Sequence, residues 1–234
     1  MGKKIVSDFD QWIAYRDRKS QNIDLTSALN CLIKAVEASS REAEYELAKL
    51  LFDGKLITGD IKKAVQLVKK SACSGLSEAQ HSLGYCYEVG LEIRKDIRQA
   101  IYWYSKASQQ GNPAAQINLA VIYESGLSEA PNYLKAFELY YAVALQGHSI
   151  GQYNLARMYQ EGLGIAKNVN FALSWYEKAY KAGYLQAANN IGVIYSGKFG
   201  LEINIEKAKE WFQIASIYGD ETAKINIKNL DFYE

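Results

Sequence analysis

The amino-acid sequence repeats with a fixed period of 36 residues, without insertion or deletion. Successive units begin at Ala43, Ala79, Ala115, Gly151 and Ala187, and the same register extends back to Ser7 and forward to Ala223. A fixed period of about 20–50 residues is typical of solenoids, in which each unit buries its apolar face only against its neighbours. The period therefore predicts a solenoid, an architecture suited to binding, and it does not identify the partner.

Each unit contains two stretches of helical periodicity. In the unit 79–114, the apolar residues at helical spacing are Leu83, Cys86 and Tyr87 in the first half, and Ala100, Trp103, Tyr104 and Ala107 in the second. A glycine column ends the second half, at Gly75, Gly111, Gly147, Gly183 and Gly219. The pattern predicts an all-α protein, an α/α solenoid or superhelix of antiparallel helix pairs, here named A and B.

The sixth position of the unit is always small in its central copies, for example Gly84, Ala120 and Gly192. Glycine inside a helix costs about 1 kcal/mol relative to alanine, so its use there needs a compensating gain. We expect this column to mark a close contact between helices A and B.

Composition excludes several classes of function. The chain has 27 Lys plus Arg against 26 Asp plus Glu, which gives neither a basic stripe for nucleic acid nor a polybasic membrane patch. No apolar stretch approaches the ~18 residues of a membrane span, and the start of the chain is not a secretory signal as written. These features predict a cytoplasmic protein, with an already removed signal left open.

Few residues suggest chemistry. His81 and His148 lie in different units, and the sequence contains no HExxH, CxxC or P-loop motif. The cysteines, Cys31, Cys73 and Cys86, are odd in number, which favours reduced thiols, although Cys73 and Cys86 fall on neighbouring helices and could pair. We therefore expect no enzyme activity, no catalytic residue, no metal and no cofactor.

The unit 151–183 reads GQYNLARMYQEGLGIAKNVNFALSWYEKAYKAG and resembles the Sel1-like repeat, a relative of the tetratricopeptide repeat. The matching residues are Leu155, Tyr159, Glu161, Gly162, Leu163, Gly164, Ala172, Trp175, Tyr176, Lys178, Ala179 and Gly183. The resemblance implies five repeats, at 43–78, 79–114, 115–150, 151–186 and 187–222. Residues 1–42 are then a degenerate N-terminal capping repeat, and residues 223–234 are a C-terminal capping helix.

In tetratricopeptide relatives the A helices line the concave face, and the alignment implies that positions three, seven and ten of each unit face this groove. These positions vary between units while the core columns do not, which favours a binding surface. The predicted partner-binding residues are Tyr45, Lys49, Phe52, His81, Tyr85, Glu88, Ile117, Val121, Glu124, Tyr153, Arg157 and Gln160. Position four holds Asn118, Asn154, Asn190 and Asn226, which could bond either a peptide backbone or a neighbouring helix.

The first functional hypothesis is a non-enzymatic scaffold or adaptor that binds a peptide or protein on its concave face. Tyr85, Tyr153 and Arg157 are its expected anchors, and Glu88 and Glu124 are expected to select charge. The alternative is an inhibitor or immunity protein that neutralises one enzyme or toxin. A third hypothesis, a small-molecule or cell-wall-fragment binder or hydrolase, is suggested by cysteine-rich relatives whose paired cysteines this chain lacks. The oligomeric state stays open.

Overall fold

The structure, a computed structural model, describes residues 7–17, 24–127 and 129–230. Within these ranges the chain is built of α-helices and contains no strand. Parts of the two predicted caps, residues 1–6, 18–23 and 231–234, lie outside the described residues.

The helices alternate as the sequence predicts, an A helix followed by a B helix. In chain order the pairs are α1 (Asp8–Arg16) with α2 (Leu25–Glu37), α3 (Arg41–Asp53) with α4 (Ile61–Cys73), α5 (Ser77–Val89) with α6 (Ile97–Gln109), α7 (Pro113–Ser125) with α8 (Tyr133–Leu145), α9 (Ser149–Glu161) with α10 (Val169–Lys181), and α11 (Ala187–Tyr195) with α12 (Ile205–Ile217), followed by α13 (Glu221–Leu230). The chain forms two compact units, an N-terminal unit up to Ala115 and a C-terminal unit from Gln116.

Each B helix begins at an aspartate or asparagine whose side chain accepts a hydrogen bond from the backbone three residues later. Asp60 accepts from the amide of Lys63, and Asn168 accepts from that of Phe171. The glycines after the B helices are left-handed, with φ of +89° at Gly75, for example. Ser39 takes the same conformation in the first repeat, so the register holds there without a glycine.

The small residues at position six mark the predicted contact between helices A and B. A Cβ built on Gly84 would lie 2.6 Å from the ring of Tyr104, and one on Gly192 would lie 2.6 Å from that of Phe212. The prediction of close approach at these glycines is confirmed. A large ring of the B helix fills the space above each one.

Trp12 occupies position six of the first repeat and is fully buried, in a cluster with Ala28, Leu32 and Ala43. Helices α6, α8, α10 and α12 place a tyrosine or phenylalanine where α2 has Leu32, and α4 has Val68 there. In the first repeat the aliphatic Leu32 leaves room for the indole that a ring would fill.

The three cysteines are free, with Cys73 exposed and Cys86 buried. Among the described residues, no helix is both long enough and apolar enough to cross a bilayer.

Candidate partner-binding site

The predicted partner-binding residues lie on α3 and α5 in the N-terminal unit and on α7 and α9 in the C-terminal unit. On each helix they are four and then three residues apart, as in Tyr45, Lys49 and Phe52. This spacing places the three side chains on one face of the helix.

In the N-terminal unit, two of these residues are held by contacts within the protein. The hydroxyls of Tyr45 and Ser82 share a hydrogen bond of 2.8 Å, which joins α3 to α5. The ammonium of Lys49 lies 2.8 Å from the carboxylate of Glu46 and 5.7 Å from the centre of the Tyr45 ring. Both residues therefore contribute to the packing of this face.

The C-terminal unit repeats the link between position three and position four of the next repeat. The amide of Asn190 donates to the hydroxyl of Tyr153 at 3.1 Å, and that of Asn226 donates to Asn189 at 3.1 Å. Of the two uses expected for the asparagines, Asn190 and Asn226 show bonding to a neighbouring helix. Asn154 instead donates to a backbone carbonyl one turn earlier in its own helix.

The glutamates at position ten accept hydrogen bonds from tyrosines 16 residues later in the B helix. Tyr104 donates to Glu88 at 2.6 Å, and Tyr140 donates to Glu124 at 3.2 Å. Burial, together with the charge of Glu124, raises the pKa of Tyr140 well above its usual range, so this phenol stays a donor. The two carboxylates are thus fixed in orientation.

In the next repeat this pairing is broken. Gln160 stands where Glu88 and Glu124 stand, and its buried Oε1 has no hydrogen-bond partner among the described residues. The buried hydroxyl of Tyr176 donates to no carboxylate there, and the side chain of Asn190 is the polar group beside it.

The sequence contains a signal for this pairing that the period analysis missed. Where position ten is an acid or an amide, the residue 16 positions later in the B helix is a tyrosine. Where position ten is Phe52 or Ser196, that later residue is Val68 or Phe212.

His81 is half-buried, and its ring centre lies 5.6 Å from that of Tyr104. Burial lowers the pKa of His81 against the opposing charge of Glu88. The imidazole is therefore biased toward its neutral form.

By contrast, Phe52 and Tyr85 leave much of their rings in solvent. Exposed aromatic side chains are enriched at protein interfaces.

The structure brings three predicted residues of the C-terminal unit together around one pocket, here called the α9 pocket. Its volume is about 490 Å³, and its lining includes Val121, Glu124, Tyr133, Arg157, Glu161 and Leu163. Tyr133, Glu161 and Leu163 were not predicted, because they come from the start of α8 and the end of α9 and its following loop.

Arg157 is the centre of an ion-pair network at this pocket. Its guanidinium donates to Glu124 at 2.7 Å and lies 3.5 Å from Glu161. Burial opposes the charge of Arg157, but the hydrogen bond and charge of Glu124 and the charge of Glu161 outweigh it and raise the pKa. The network holds a fixed cation between two carboxylates.

Tyr153 and Ile117 are mainly engaged in packing within the C-terminal unit. The ring of Tyr153 lies 4.6 Å from that of Tyr184 and 5.5 Å from that of Tyr176, measured between centres. Ile117 is half-buried against the core cluster that contains Tyr140. Neither residue lines the α9 pocket.

A second pocket of about 680 Å³ lies between α11, α12 and α13. Val193 and Ser196 line it at positions seven and ten, the same positions that Val121 and Glu124 hold at the α9 pocket. Ser196 and Asn229 line this pocket at the positions that Glu124 and Arg157 hold at the α9 pocket, so the ion pair between those two positions is replaced by uncharged side chains. No cluster of three or more histidine, cysteine or acidic residues that could hold a metal occurs in the described part of the chain.

Comparisons with known proteins bear on the fold. The family model described as Sel1 repeat matches residues 41–76, 77–112, 113–148, 149–184 and 185–217. A comparison with curated protein sequences found no match.

Three solved structures are similar. A Sel1 repeat protein from Oxalobacter formigenes is 26% identical, with a TM-score of 0.77 over 93% of this chain and 86% of that one. The protective antigen c5321 of uropathogenic Escherichia coli is 34% identical, with a TM-score of 0.83 over 96% of this chain. This chain spans about half of that protein, 49% of its length. The immunity protein PA5088 of Pseudomonas aeruginosa is 19% identical, with a TM-score of 0.56 over 94% of this chain and 85% of that one.

These matches, together with the all-helical repeats, confirm the predicted α/α solenoid class and the resemblance to Sel1-like repeats.

Proposed function

Because this chain belongs to the Sel1 repeat family, whose repeats are protein-interaction scaffolds, we propose that it is a non-enzymatic scaffold that binds a peptide or protein on the A-helix face, the face predicted to be concave. The α9 pocket carries the proposal. A binding site that is already formed lowers the ordering cost of association.

The charges of the α9 pocket favour one kind of partner. The side chain of Glu161 is 43% exposed, against 24% for Arg157 and 20% for Glu124. The most accessible charge is therefore a carboxylate, and its contact with Arg157 is the longer of the two. Val121, Tyr133 and Leu163 supply an apolar wall beside it. A segment with an apolar side chain next to a lysine or arginine fits this combination.

In the N-terminal unit, Tyr85 is the best-placed anchor among the predicted A-helix residues, because half of it lies in solvent. Tyr153 is a weaker candidate anchor than Tyr85, because its ring packs on Tyr184 and its hydroxyl accepts a hydrogen bond from Asn190. A Tyr153→Ala variant would test packing as much as binding.

The test is selection of peptides from a random display library on the intact chain, followed by titration calorimetry. We expect selected peptides to combine a basic residue with an apolar one. Glu161→Gln is expected to weaken their binding at least fivefold, because it removes the accessible charge. Glu206→Gln, an exposed carboxylate on α12 outside the pocket, is the matched control.

Tyr85→Ala is expected to weaken the binding of ligands that contact the N-terminal unit, and Tyr102→Ala on the B helix α6 is its control. The two tyrosines are matched, at 50% and 49% exposed. Selected peptides without a basic residue, or equal losses in the variants and their controls, would contradict the proposal.

The alternative, an immunity protein, rests on fold alone, because PA5088 is only 19% identical. The two functions differ in measured affinity. A scaffold is expected to bind several ligands with dissociation constants near micromolar, whereas an inhibitor of one enzyme binds it at nanomolar strength or below.

A further inference from the structure

Helix α8 exposes an unusual row of mostly apolar side chains to solvent. Its members, here called the α8 ridge, are Leu134, Glu138, Tyr141 and Leu145. At 100° per residue these four side chains fall within about 60° of one another around the helix. Leu134 is 56% exposed, Tyr141 40% and Leu145 63%. The opposite face of α8 is the one that packs into the C-terminal unit.

The other B helices place mainly polar residues at these positions. The equivalents are Thr26, Asn30, Ile33 and Glu37 in α2, Lys62, Gln66, Lys69 and Cys73 in α4, Arg98, Tyr102, Ser105 and Gln109 in α6, Asn170, Ser174, Glu177 and Lys181 in α10, and Glu206, Glu210, Gln213 and Ile217 in α12. The repeat therefore does not need an apolar residue there. A single exposed leucine is ordinary, but two leucines and a tyrosine along one exposed helix face mark an interaction surface.

The ridge is symmetric about its own centre. Leu134 and Leu145 are equally far from the midpoint between residues 139 and 140, and so are Glu138 and Tyr141. Two copies of α8 packed antiparallel across a two-fold axis at this point would set each leucine against the other leucine of the second copy. The same axis sets each Tyr141 against a Glu138.

Glu138 favours a second copy of this chain over an unrelated apolar helix as the partner of the α8 ridge. A carboxylate within an apolar contact is costly unless a donor reaches it. A second copy brings the hydroxyl of Tyr141 to that place. The chain already uses this pairing twice, from Tyr104 to Glu88 and from Tyr140 to Glu124.

We propose that the α8 ridge binds the α8 ridge of a second copy of this chain, with the two helices antiparallel across a two-fold axis. The contact is isologous and closes on itself, so it yields a dimer and no filament. One ridge on one helix is smaller than the ~800 Å² per partner of a standard interface, so the dimer is weak and dissociates in the micromolar range or above. The proposal is independent of what the A-helix face binds.

The first test is sedimentation velocity of the intact chain from about 1 µM to 1 mM, a range that covers weak dissociation constants. We expect the mean mass to rise from monomer toward dimer. The double variant Leu134→Asn with Leu145→Lys carries the residues that α10 has at the same positions, and it is expected to weaken dimerisation at least tenfold. Ile217→Lys removes an 80% exposed residue at the position of Leu145 in α12 and should dimerise normally.

Tyr141→Phe keeps the ring of the ridge and removes only the hydroxyl, so it should fold normally and dimerise several-fold more weakly. A wild-type chain that stays monomeric throughout would overturn the proposal, and the ridge would then serve a different protein or none. Equal dimerisation of the wild-type chain and the double variant would overturn it too.

The second test fixes the register by disulfide formation, in a Cys73→Ser background that removes the exposed thiol. A Leu134→Cys chain mixed with a Leu145→Cys chain is expected to cross-link on oxidation. Neither alone should do so, because equivalent residues are about 16 Å apart along antiparallel helices and a disulfide needs Cα atoms within about 7 Å. Cross-linking of the Leu134→Cys chain with itself would indicate parallel packing and overturn the proposal.

Discussion

The hydroxyl of Tyr104 donates a hydrogen bond of 2.6 Å to the carboxylate of Glu88, 16 residues earlier in the chain. The bond joins the buried column of helix B to a position of helix A that was predicted to contact a partner. A phenol that is itself fully buried holds the carboxylate in one orientation. The predicted binding face thus rests on contacts inside the repeat.

Removing the donor should destabilise the repeat. We expect Tyr104→Phe to lower the free energy of unfolding by about 1–2 kcal/mol, because a hydrogen bond to a charged acceptor is lost and the ring still fills its site. The measurement is urea-induced unfolding followed by circular dichroism.

Tyr176→Phe is the matched control for this change. Tyr176 is equally buried at the same position of its repeat, but within the described residues its hydroxyl donates to no carboxylate. Its loss should change the free energy of unfolding by less than about 0.5 kcal/mol. Equal effects of the two substitutions would show that the bond to Glu88 contributes nothing.

The broken pair in the C-terminal unit can be repaired. Gln160→Glu replaces a neutral amide by the charged carboxylate acceptor that Tyr104 and Tyr140 already have, and we expect it to raise the free energy of unfolding by about 1 kcal/mol. The gain should vanish in a Tyr176→Phe background, measured as a double-mutant cycle. A gain of the same size in that background would mean that the new charge acts on Arg157 instead.

Much of this fold could be predicted because its determinants recur. A residue type that recurs at one position in five or six repeats reflects a structural requirement and not chance. The period, the helix pairs and the left-handed turns after the B helices therefore followed from the sequence. The contact of Gly84 with helix B also followed, since only a small residue fits beneath a ring.

The candidate site was harder to predict because its positions vary. The sequence placed Tyr153 and Arg157 on one helix face, but it did not show that the ring of Tyr153 stacks on Tyr184. It also missed Glu161 at the α9 pocket, because that residue falls outside the three positions taken from the family. Whether a side chain packs or stays exposed depends on the neighbouring repeat and not on its position in the 36-residue period.

Stability should depend on the protonation of His81. Burial lowers its pKa from the ordinary 6.5, so the unfolded chain binds the proton more tightly than the folded one. The resulting stabilisation is complete above pH 6.5 and is lost as the pH falls below it. We expect His81→Tyr, which carries the residue of Tyr45 and Tyr153 at this position, to lose less stability than wild type between pH 7.5 and pH 5. Urea unfolding at a series of pH values measures the difference, and parallel curves would contradict the prediction.

Gly84 and Tyr104 should behave as a coupled pair. An added Cβ at residue 84 lies 2.6 Å from the ring, so Gly84→Ala is expected to destabilise by about 1–3 kcal/mol despite the better helix propensity of alanine. The preceding repeat suggests the remedy, because Ala48 and Val68 occupy the same two positions within one buried cluster. Tyr104→Val should therefore cost less in the Gly84→Ala background than in the wild-type chain. A double-mutant cycle by urea unfolding gives the coupling energy, which we expect to exceed about 1 kcal/mol in favour of the paired change. A stabilising Gly84→Ala variant, or additive effects, would mean that the small column serves helix propensity and not close approach.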